Sequence, residues 1–278
     1  MNAVLEPLLL PTPAERVECH RSAGAGRLRY YLFVPSDLQA DARVLVAVHG
    51  VSRRAGQQAR AYAAFAERHG MVVVAPRFSS RRFPRYQRLR CRAGGGVSPV
   101  RALHAVLDEV AARTGTDTHR LYLAGHSGGG QFVHRYAMLY PRRCAAVAVG
   151  AAGWYTLPEP ALRWPLGIDR TAQRARGGRS AFMNRFLRVP MAAFVGEQDL
   201  SRAPPFNTAR VLDRQQGPTR VDRARTWVES MRAAAAAAGL ATRYRFELLP
   251  DCGHDFGVCA RRGGLAERVG AFLLDIAD

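Results

Sequence analysis

The sequence contains no lysine, although it carries 41 basic residues against 22 acidic ones and a formal net charge of +19. All of its cationic side chains, histidine aside, are therefore arginines. Arginine-rich surfaces bind phosphate backbones, but the chain carries no motif typical of DNA- or RNA-binding proteins. We therefore expect no nucleic-acid partner. Net charge bears on solubility and electrostatic steering rather than on fold, so the positions of the arginines are more informative than their number.

Long apolar runs are also missing. The longest, such as Val44–Val48 and Ala145–Ala152, are much shorter than the roughly 20 residues that a membrane-spanning helix needs. A short leucine run at residues 8–10 follows Glu6, is interrupted by prolines and has no basic residues before it, which is unlike a signal peptide. These absences predict a cytoplasmic protein without membrane association.

Cysteine is scarce and odd in number. The five cysteines lack the regular spacing of a disulfide framework and stand at Cys19, Cys91, Cys144, Cys252 and Cys259. At this chain length a reduced protein is the expectation, although Cys252 and Cys259 are close enough in sequence for one loop disulfide. No Cys or His spacing matches a metal site, so we expect no metal.

The remaining composition is that of a globular chain. Hydrophobic residues make up 48% of its 278 residues, and the 26 glycines and 16 prolines are not periodic, which excludes disordered and collagen-like classes. We find no internal repeat and no linker. The sequence therefore predicts one domain over residues 1–278, with an N-terminal tail at 1–16 and a lid-like insertion at 151–190.

Short apolar runs alternate with amphipathic segments along the chain. Strands are predicted at Leu28–Val34, Val44–His49, Met71–Ala75 (ended by Pro76), Leu121–Ala124, Cys144–Val149, Met191–Val195 and Tyr244–Leu249. Helices are predicted at Gln57–His69, Val97–Thr114, Gly128–Tyr140, Val221–Ala238 and Leu265–Ile276. This alternation predicts an α/β fold with a mostly parallel sheet and helices on both faces. Two β-like segments at 17–22 and 28–34 are expected to form an antiparallel edge.

The strongest local motif is Gly125-His126-Ser127-Gly128-Gly129, between a predicted strand and a predicted helix. In that setting G-x-S-x-G is typical of a nucleophile elbow, a tight turn that projects the serine above the sheet. Glycines are needed because side chains two positions before and after the serine would collide. The motif predicts Ser127 as the nucleophile.

A serine nucleophile needs a base, and the base needs an acid to orient it. His254 follows the strand Tyr244–Leu249 in a glycine-containing loop, where it would face the serine. Asp199 follows the strand Met191–Val195 and stands between the other two in chain order. Asp199 is therefore the predicted acid, with Glu197 as a rival and Asp255 as a weaker candidate.

An oxyanion hole requires two backbone N–H groups near the serine. The segment His49-Gly50-Val51 directly follows a buried strand, and we expect the amides of Val51 and Gly128 to form the hole. His49 is expected to be structural, and His126 to shape the turn. Pocket walls are expected from His49, Gly50, His126, Trp154 and Tyr155, with Phe182 and Phe186 further along the insertion.

The motifs at His49-Gly50, Gly125–Gly129, Asp199 and His254, in this order, resemble those of the α/β-hydrolase superfamily. Within it the chain resembles the bacterial poly(3-hydroxybutyrate) depolymerase-like and feruloyl-esterase-like hydrolases, and the related dienelactone hydrolases. Ser127 departs from the cysteine nucleophile of the dienelactone branch. The resemblance, from about residue 27 to the end, implies a serine esterase that forms an acyl-enzyme and uses no cofactor.

Other activities share these residues. A peptidase, an amidase or an acyltransferase would use the same triad, and a cationic binding protein with an unused triad is a further alternative, since a fold does not fix a function. The oligomeric state has no marker in the sequence.

Fourteen arginines fall in two segments that follow predicted strands. The first group is Arg77, Arg81, Arg82, Arg85, Arg88, Arg90 and Arg92, and the second is Arg163, Arg170, Arg174, Arg176, Arg179, Arg185 and Arg188. Ligands of doubly wound sheets bind at the carboxyl ends of strands. The two groups therefore predict a positive potential at the mouth of the pocket and an anionic ester as substrate, although each single arginine is more simply a solvated surface residue.

Overall fold

The computed structural model describes residues 11–89, 96–168, 178–241 and 243–275, with the backbone alone at 178–180. Residues 90–95 and 169–177 lie outside it. Part of each predicted arginine group and part of the predicted insertion therefore fall outside the described residues.

The described chain forms a sheet of eight strands in the order β1-β2-β4-β3-β5-β6-β7-β8. The strands are β1 (Glu18–Arg21), β2 (Arg29–Phe33), β3 (Val44–Val48), β4 (Val72–Arg77), β5 (Leu121–His126), β6 (Cys144–Gly150), β7 (Met191–Gly196) and β8 (Tyr244–Leu249). β1 and β2 are antiparallel to their neighbours, and β3 to β8 run parallel to one another. The predicted parallel sheet with an antiparallel edge is confirmed.

The helices are α1 (Ala55–Arg68), α2 (Pro99–Thr114), α3 (Gly128–Leu139), α4 (Gly178–Leu187), α5 (Arg210–Gln216), α6 (Arg220–Ala237), α7 (Phe256–Arg261) and α8 (Leu265–Leu274). The start of α2 is capped, because the Ser98 side chain accepts from Arg101 N and Pro99 occupies the first turn. α4, α5 and α7 were not predicted, since they are short or lie in arginine-rich and glycine-rich sequence. None of the described helices is both long and apolar enough to span a membrane.

Apolar cores lie on both faces of the sheet. On one face Leu103 of α2, Phe132 of α3 and Trp227 of α6 are buried against the strands. On the other face Phe65 of α1 and Phe272 of α8 are buried. The central strands are apolar along their whole length because both of their faces are covered.

The predicted end of the strand Met71–Ala75, which is β4 of the structure, was wrong. β4 continues through Pro76 to Arg77, and Pro76 is paired with Tyr30 of the antiparallel neighbour. The parallel pairing of β3 with β4 extends only to Val46 and Val74. Pro76 therefore lies where the strand has a neighbour on one side alone, so its missing N–H leaves no ladder bond unmade.

Candidate active site

The loops that follow the parallel strands meet at one edge of the sheet. Ser127 follows β5, Asp199 follows the end of β7 and His254 follows β8. Val51 lies just beyond β3. Because parallel strands present their carboxyl ends at the same edge, the four predicted residues are brought together there.

Ser127 lies on a strained turn between β5 and α3. Its φ is 55°, in the left-handed region that side chains other than glycine rarely adopt. The turn is held by hydrogen bonds from Ser127 N to Gly150 O at 2.8 Å and from Gln131 N to Ser127 O at 3.1 Å. β5 reaches His126, two residues beyond the predicted end, so the serine follows the strand directly. This is the elbow geometry that the motif predicted.

The glycines of the motif are required by close approach. A Cβ at Gly125 would lie 2.3 Å from Gly129 O, and a Cβ at Gly129 would lie 1.9 Å from Val48 O. Both distances are far inside van der Waals contact with backbone atoms. The collision argued from the sequence is therefore present on both sides of Ser127.

Ser127, His254 and Asp199 form a continuous hydrogen-bonded chain. His254 Nε2 is 3.1 Å from Ser127 Oγ, and His254 Nδ1 is 2.7 Å from Asp199 Oδ2. A carboxylate accepts, so the imidazole carries its proton on Nδ1 and leaves Nε2 free to accept the hydroxyl proton of Ser127. The Asp199 side chain is fully buried, whereas that of His254 is 31% exposed.

The two rival acids have other partners. Glu197 is exposed, and its Oε1 accepts from Asp251 N at 2.9 Å. Asp255 caps α7, since its Oδ1 accepts from Val258 N at 2.8 Å. Among the three candidates, Asp199 is the one whose carboxylate contacts the His254 ring.

The Gly50-Val51 loop packs against the serine turn. A Cβ at Gly128 would lie 3.5 Å from Val51 N and 2.8 Å from the hydroxyl of Tyr86, and a Cβ at Gly50 would lie 3.3 Å from Ser127 Cβ. The amides of Val51 and Gly128 make no backbone hydrogen bond to other described residues. These two N–H groups are therefore free to donate hydrogen bonds to an acceptor oxygen beside Ser127.

His49 fixes the base of this loop. Its Nε2 accepts from Phe78 N at 3.0 Å, and its Nδ1 therefore donates to Gly50 O at 2.7 Å. Burial lowers the pKa of His49 to about 4, so the ring is neutral. The hydroxyl of Tyr86, which the sequence did not identify, donates to His49 O at 2.6 Å.

His126 holds the loop of the candidate base. Its Nε2 donates to the carbonyl oxygen of His254 at 2.9 Å, and its ring lies 5.2 Å from that of His254 between centroids. Burial is the main cause that lowers the pKa of His126 to about 4. His126 thus contacts the backbone of His254 and not the hydroxyl of Ser127.

Ser127 and His254 open into a cleft with a volume of about 390 Å³. Its walls come chiefly from the loop after β3, the first turn of α1 and the loop after β8, and include Gly50, Val51, Arg54, Gln57, His126 and Phe256. The predicted pocket residues Gly50 and His126 therefore line this cleft, whereas His49 is buried behind it.

The structure does not bring Trp154 and Tyr155 to the walls of this cleft. Tyr155 is fully buried and stacks on Trp227 of α6 at 4.8 Å between centroids. Trp154 packs under the guanidinium of Arg135, which lies 4.2 Å from the centroid of the Trp154 ring. The chain turns back onto the core here, because Trp154 packs against Arg135 of α3 and Tyr155 against Trp227 of α6.

The same burial applies to the other predicted wall residues. Phe182 and Phe186 of α4 are buried in the core on the α2, α3 and α6 face of the sheet. All four aromatic residues predicted for the wall are therefore buried in the protein and do not line the cleft.

No arginine of the two predicted groups lines the cleft within the described chain; the arginine that does so is Arg54. Arg81, Arg82 and Arg85 are exposed in the loop after β4, and Arg188 is exposed after α4. Arg90, Arg92, Arg170, Arg174 and Arg176, with the side chain of Arg179, lie outside the described residues.

The cysteines near the candidate base are free thiols. Cys252 and Cys259 are both buried, and the thiol of Cys259 donates to Gly253 O at 3.3 Å. Burial raises the pKa of both thiols. In the described part of the chain, no group of three or more His, Cys, Asp or Glu side chains is placed to hold a metal ion.

Comparison with known proteins finds similarity to depolymerases and other hydrolases. A family model described as Esterase PHB depolymerase matches residues 28–161. Poly(3-hydroxyalkanoate) depolymerase C of Paucimonas lemoignei is 26% identical over 193 residues, which cover 64% of this chain and 46% of that protein. The chain thus spans about half the length of the curated relative that it matches.

Two solved structures are similar over nearly their whole length. LpqC, a poly(3-hydroxybutyrate) depolymerase from Bordetella parapertussis, is 27% identical with a TM-score of 0.75, and the match covers 95% of each chain. Poly(aspartic acid) hydrolase-1 from Sphingomonas sp. KT-1 is 22% identical with a TM-score of 0.78, and the match covers 93% of this chain and 98% of that one.

Proposed function

Since the chain is an α/β-hydrolase similar to the esterases of the PHB depolymerase family, we propose that it hydrolyses carboxylic esters through an acyl-enzyme on Ser127. The observation that carries this proposal is the chain of hydrogen bonds from Ser127 through His254 to the buried Asp199. It lies at an open cleft, which gives a substrate access to the serine hydroxyl.

The reaction follows from the hydrogen-bond directions. Ser127 Oγ attacks the ester carbonyl carbon while its proton passes to His254 Nε2, and the carbonyl oxygen becomes an oxyanion. The free amides of Val51 and Gly128 then donate to that oxyanion. Collapse of the tetrahedral intermediate breaks the bond to the leaving alcohol, which takes the proton from His254, and leaves an ester of Ser127.

Hydrolysis of this acyl-enzyme repeats the steps with water. Water attacks the acyl carbon as its proton moves to His254 Nε2, and Ser127 leaves as the hydroxyl when the proton returns. Asp199 keeps the second imidazole proton on Nδ1 and stabilises the imidazolium formed in both halves. The products are a carboxylic acid and an alcohol, and no cofactor takes part.

A fluorophosphonate probe tests this proposal directly. The probe phosphonylates an activated serine, so we expect covalent labelling of the wild-type chain and none of Ser127→Ala. Mass spectrometry of the labelled peptide should place the adduct on Ser127. A wild-type chain that stays unlabelled, although it is folded by circular dichroism, would favour the alternative of a cationic binding protein.

A panel of substrates separates the activities that share this triad. The depolymerase relatives are named for polyesters, and the poly(aspartic acid) hydrolase for an anionic polyamide. We expect turnover of esters that varies with acyl length and aromatic content, and much slower turnover of matched amides. Preferred cleavage of the amides would instead make the chain a peptidase or amidase, and transfer to added alcohols an acyltransferase.

Arg54 favours an anionic substrate. Its side chain lines the cleft that contains Ser127, is exposed, and has no ion-pair partner among the described residues. α1 has no acidic residue in its first turn, so nothing in that turn offsets the guanidinium. With a net charge of +19 on the chain, a carboxylate on the substrate would be attracted to this cleft.

Replacing Arg54 with glutamine is expected to lower kcat/KM about fivefold for an ester that carries a carboxylate, as for loss of one exposed ion pair. The matched neutral ester should be hardly affected, and the difference should shrink as salt is added. Arg60→Gln is the control, since Arg60 is an exposed arginine of the same helix that does not line the cleft. Equal kcat/KM for both esters at every salt concentration in the wild type would exclude an anionic preference.

A further inference from the structure

The carboxylate of Asp199 is held from both sides. Its Oδ2 accepts from His254 Nδ1 at 2.7 Å, and its Oδ1 accepts from Arg220 Nη1 at 3.0 Å. The Asp199 side chain is 0% exposed and that of Arg220 is 4% exposed. A buried guanidinium is therefore in direct contact with the acid that faces the candidate base.

The other contacts of Arg220 are local to the same loop. Nη1 also donates to Ser201 O at 3.2 Å, and the guanidinium lies 4.6 Å from the ring centroid of Phe206. Its Nε is buried and has no hydrogen-bond partner among the described residues. Within the described chain, Asp199 supplies the one ion pair of this guanidinium.

A buried ion pair adds little to the free energy of unfolding, because the cost of removing two charges from water offsets their attraction. An apolar side chain over Phe206 would fill the same space at no such cost. What an arginine adds is a directed donor that fixes the carboxylate plane, which an apolar residue cannot do.

The position of Arg220 is itself fixed. It is the first residue of α6, directly after Thr219, whose side chain and that of Asp222 form a capping box. The helix therefore starts at a defined residue, and its first side chain projects toward the loop after β7. The donor is anchored to a helix rather than to a flexible loop.

We propose that Arg220 is a positioning residue that holds the carboxylate of Asp199 in the orientation in which Oδ2 faces His254 Nδ1. The inference rests on the proposed function, since it assigns Arg220 to the machinery that orients His254. Without Arg220, the buried Oδ1 loses its charged donor and the carboxylate is free to turn. The imidazole then loses its fixed tautomer and direction toward Ser127.

The chain offers a matched control in Arg223. This side chain lies one turn further along α6, is 0% exposed, and stacks on the same Phe206 at 4.2 Å. It also pairs with an aspartate, but with Asp213 at 2.8 Å and not with Asp199. Loss of Arg223 therefore removes a buried, paired arginine without touching the triad.

The experiment compares kcat and KM of Arg220→Ala, Arg220→Lys and Arg223→Ala on one neutral ester, below the unfolding temperature of each. We expect Arg220→Ala to lose about 10- to 100-fold in kcat, as for removal of a residue that orients a functional group, with KM little changed. Arg220→Lys, which keeps a charged donor of shorter reach, should lie between it and the wild type. Arg223→Ala should keep the wild-type kcat.

Chemical rescue provides a readout that a purely structural role would not move. Added guanidinium at millimolar concentration should restore part of the kcat of Arg220→Ala, whereas tetramethylammonium at the same ionic strength should not. Neither ion should raise the kcat of Arg223→Ala. An unchanged kcat in folded Arg220→Ala, or a loss that Arg223→Ala reproduces, would overturn the proposal.

A proton NMR measurement separates this inference from the proposed function. The hydrogen-bonded Nδ1–H of His254 should give a downfield resonance in the wild type that is lost or shifted in Arg220→Ala and kept in Arg223→Ala. This resonance does not depend on turnover. If the wild type hydrolyses no ester, the proposed function fails, and the resonance still decides whether Arg220 positions Asp199.

Discussion

Replacing His254 with alanine is expected to lower kcat on an ester by about 10⁵- to 10⁶-fold, the loss seen when a triad loses its base. The ring nitrogen that lies 3.1 Å from Ser127 Oγ is then absent, so nothing in the cleft takes the hydroxyl proton during attack. The measurement is the steady-state rate of ester hydrolysis against a Ser127→Ala blank. Labelling by a fluorophosphonate should fail in the same variant.

Two comparisons make this prediction specific. The double variant of Ser127→Ala with His254→Ala should be no slower than either single variant, because the two groups act as one unit. His119→Ala should keep full activity, since His119 is exposed in the turn before β5. A His254 variant that keeps more than a tenth of the wild-type kcat would show that another residue serves as the base.

The parts of the site that could be predicted from the sequence are those fixed by local backbone geometry. Gly125 and Gly129 identify the serine turn in the sequence. A Cβ at Gly125 would collide with Gly129 O, and a Cβ at Gly129 would collide with Val48 O. The apolar strand before Ser127 and the helix after it identify the setting. Chain order along parallel strands then places Asp199 and His254 at the same edge.

The parts that could not be predicted depend on contacts between distant segments. Trp154 and Tyr155 have the composition of a pocket wall, but their burial is decided by Arg135 on α3 and Trp227 on α6. The sequence contains no marker for such pairings. Arg220 is likewise one arginine among 41, and only the fold brings it to Asp199.

The choice between Glu197 and Asp199, the two acids of the loop after β7, also depends on contacts that the sequence does not show. Glu197 and Asp199 are two residues apart, and either could follow a strand toward a histidine. A turn in which Asp199 N donates to Gly196 O at 3.0 Å reverses the chain between them. It leaves Glu197 exposed beside Asp251 and buries Asp199 beneath His254.

Replacing Asp199 with asparagine is expected to lower kcat by about 10⁴-fold, because an amide at Oδ2 favours the wrong tautomer of His254. The change also leaves Arg220 buried without its counter-ion, which should lower the free energy of unfolding by about 3–5 kcal/mol. Rates are therefore measured at a temperature where circular dichroism shows the variant folded.

Glu197→Gln is the matched control, since it makes the same change of carboxylate to amide in a side chain that contacts Asp251 N instead of His254. It should leave kcat within about threefold of the wild type, the range of a surface substitution. A loss of about 10⁴-fold in kcat for Glu197→Gln would show that Asp199 is not the acid that orients His254. The same conclusion would follow if folded Asp199→Asn kept more than a tenth of the wild-type kcat. The two variants together thus test whether burial and contact, rather than position in the chain, select the acid.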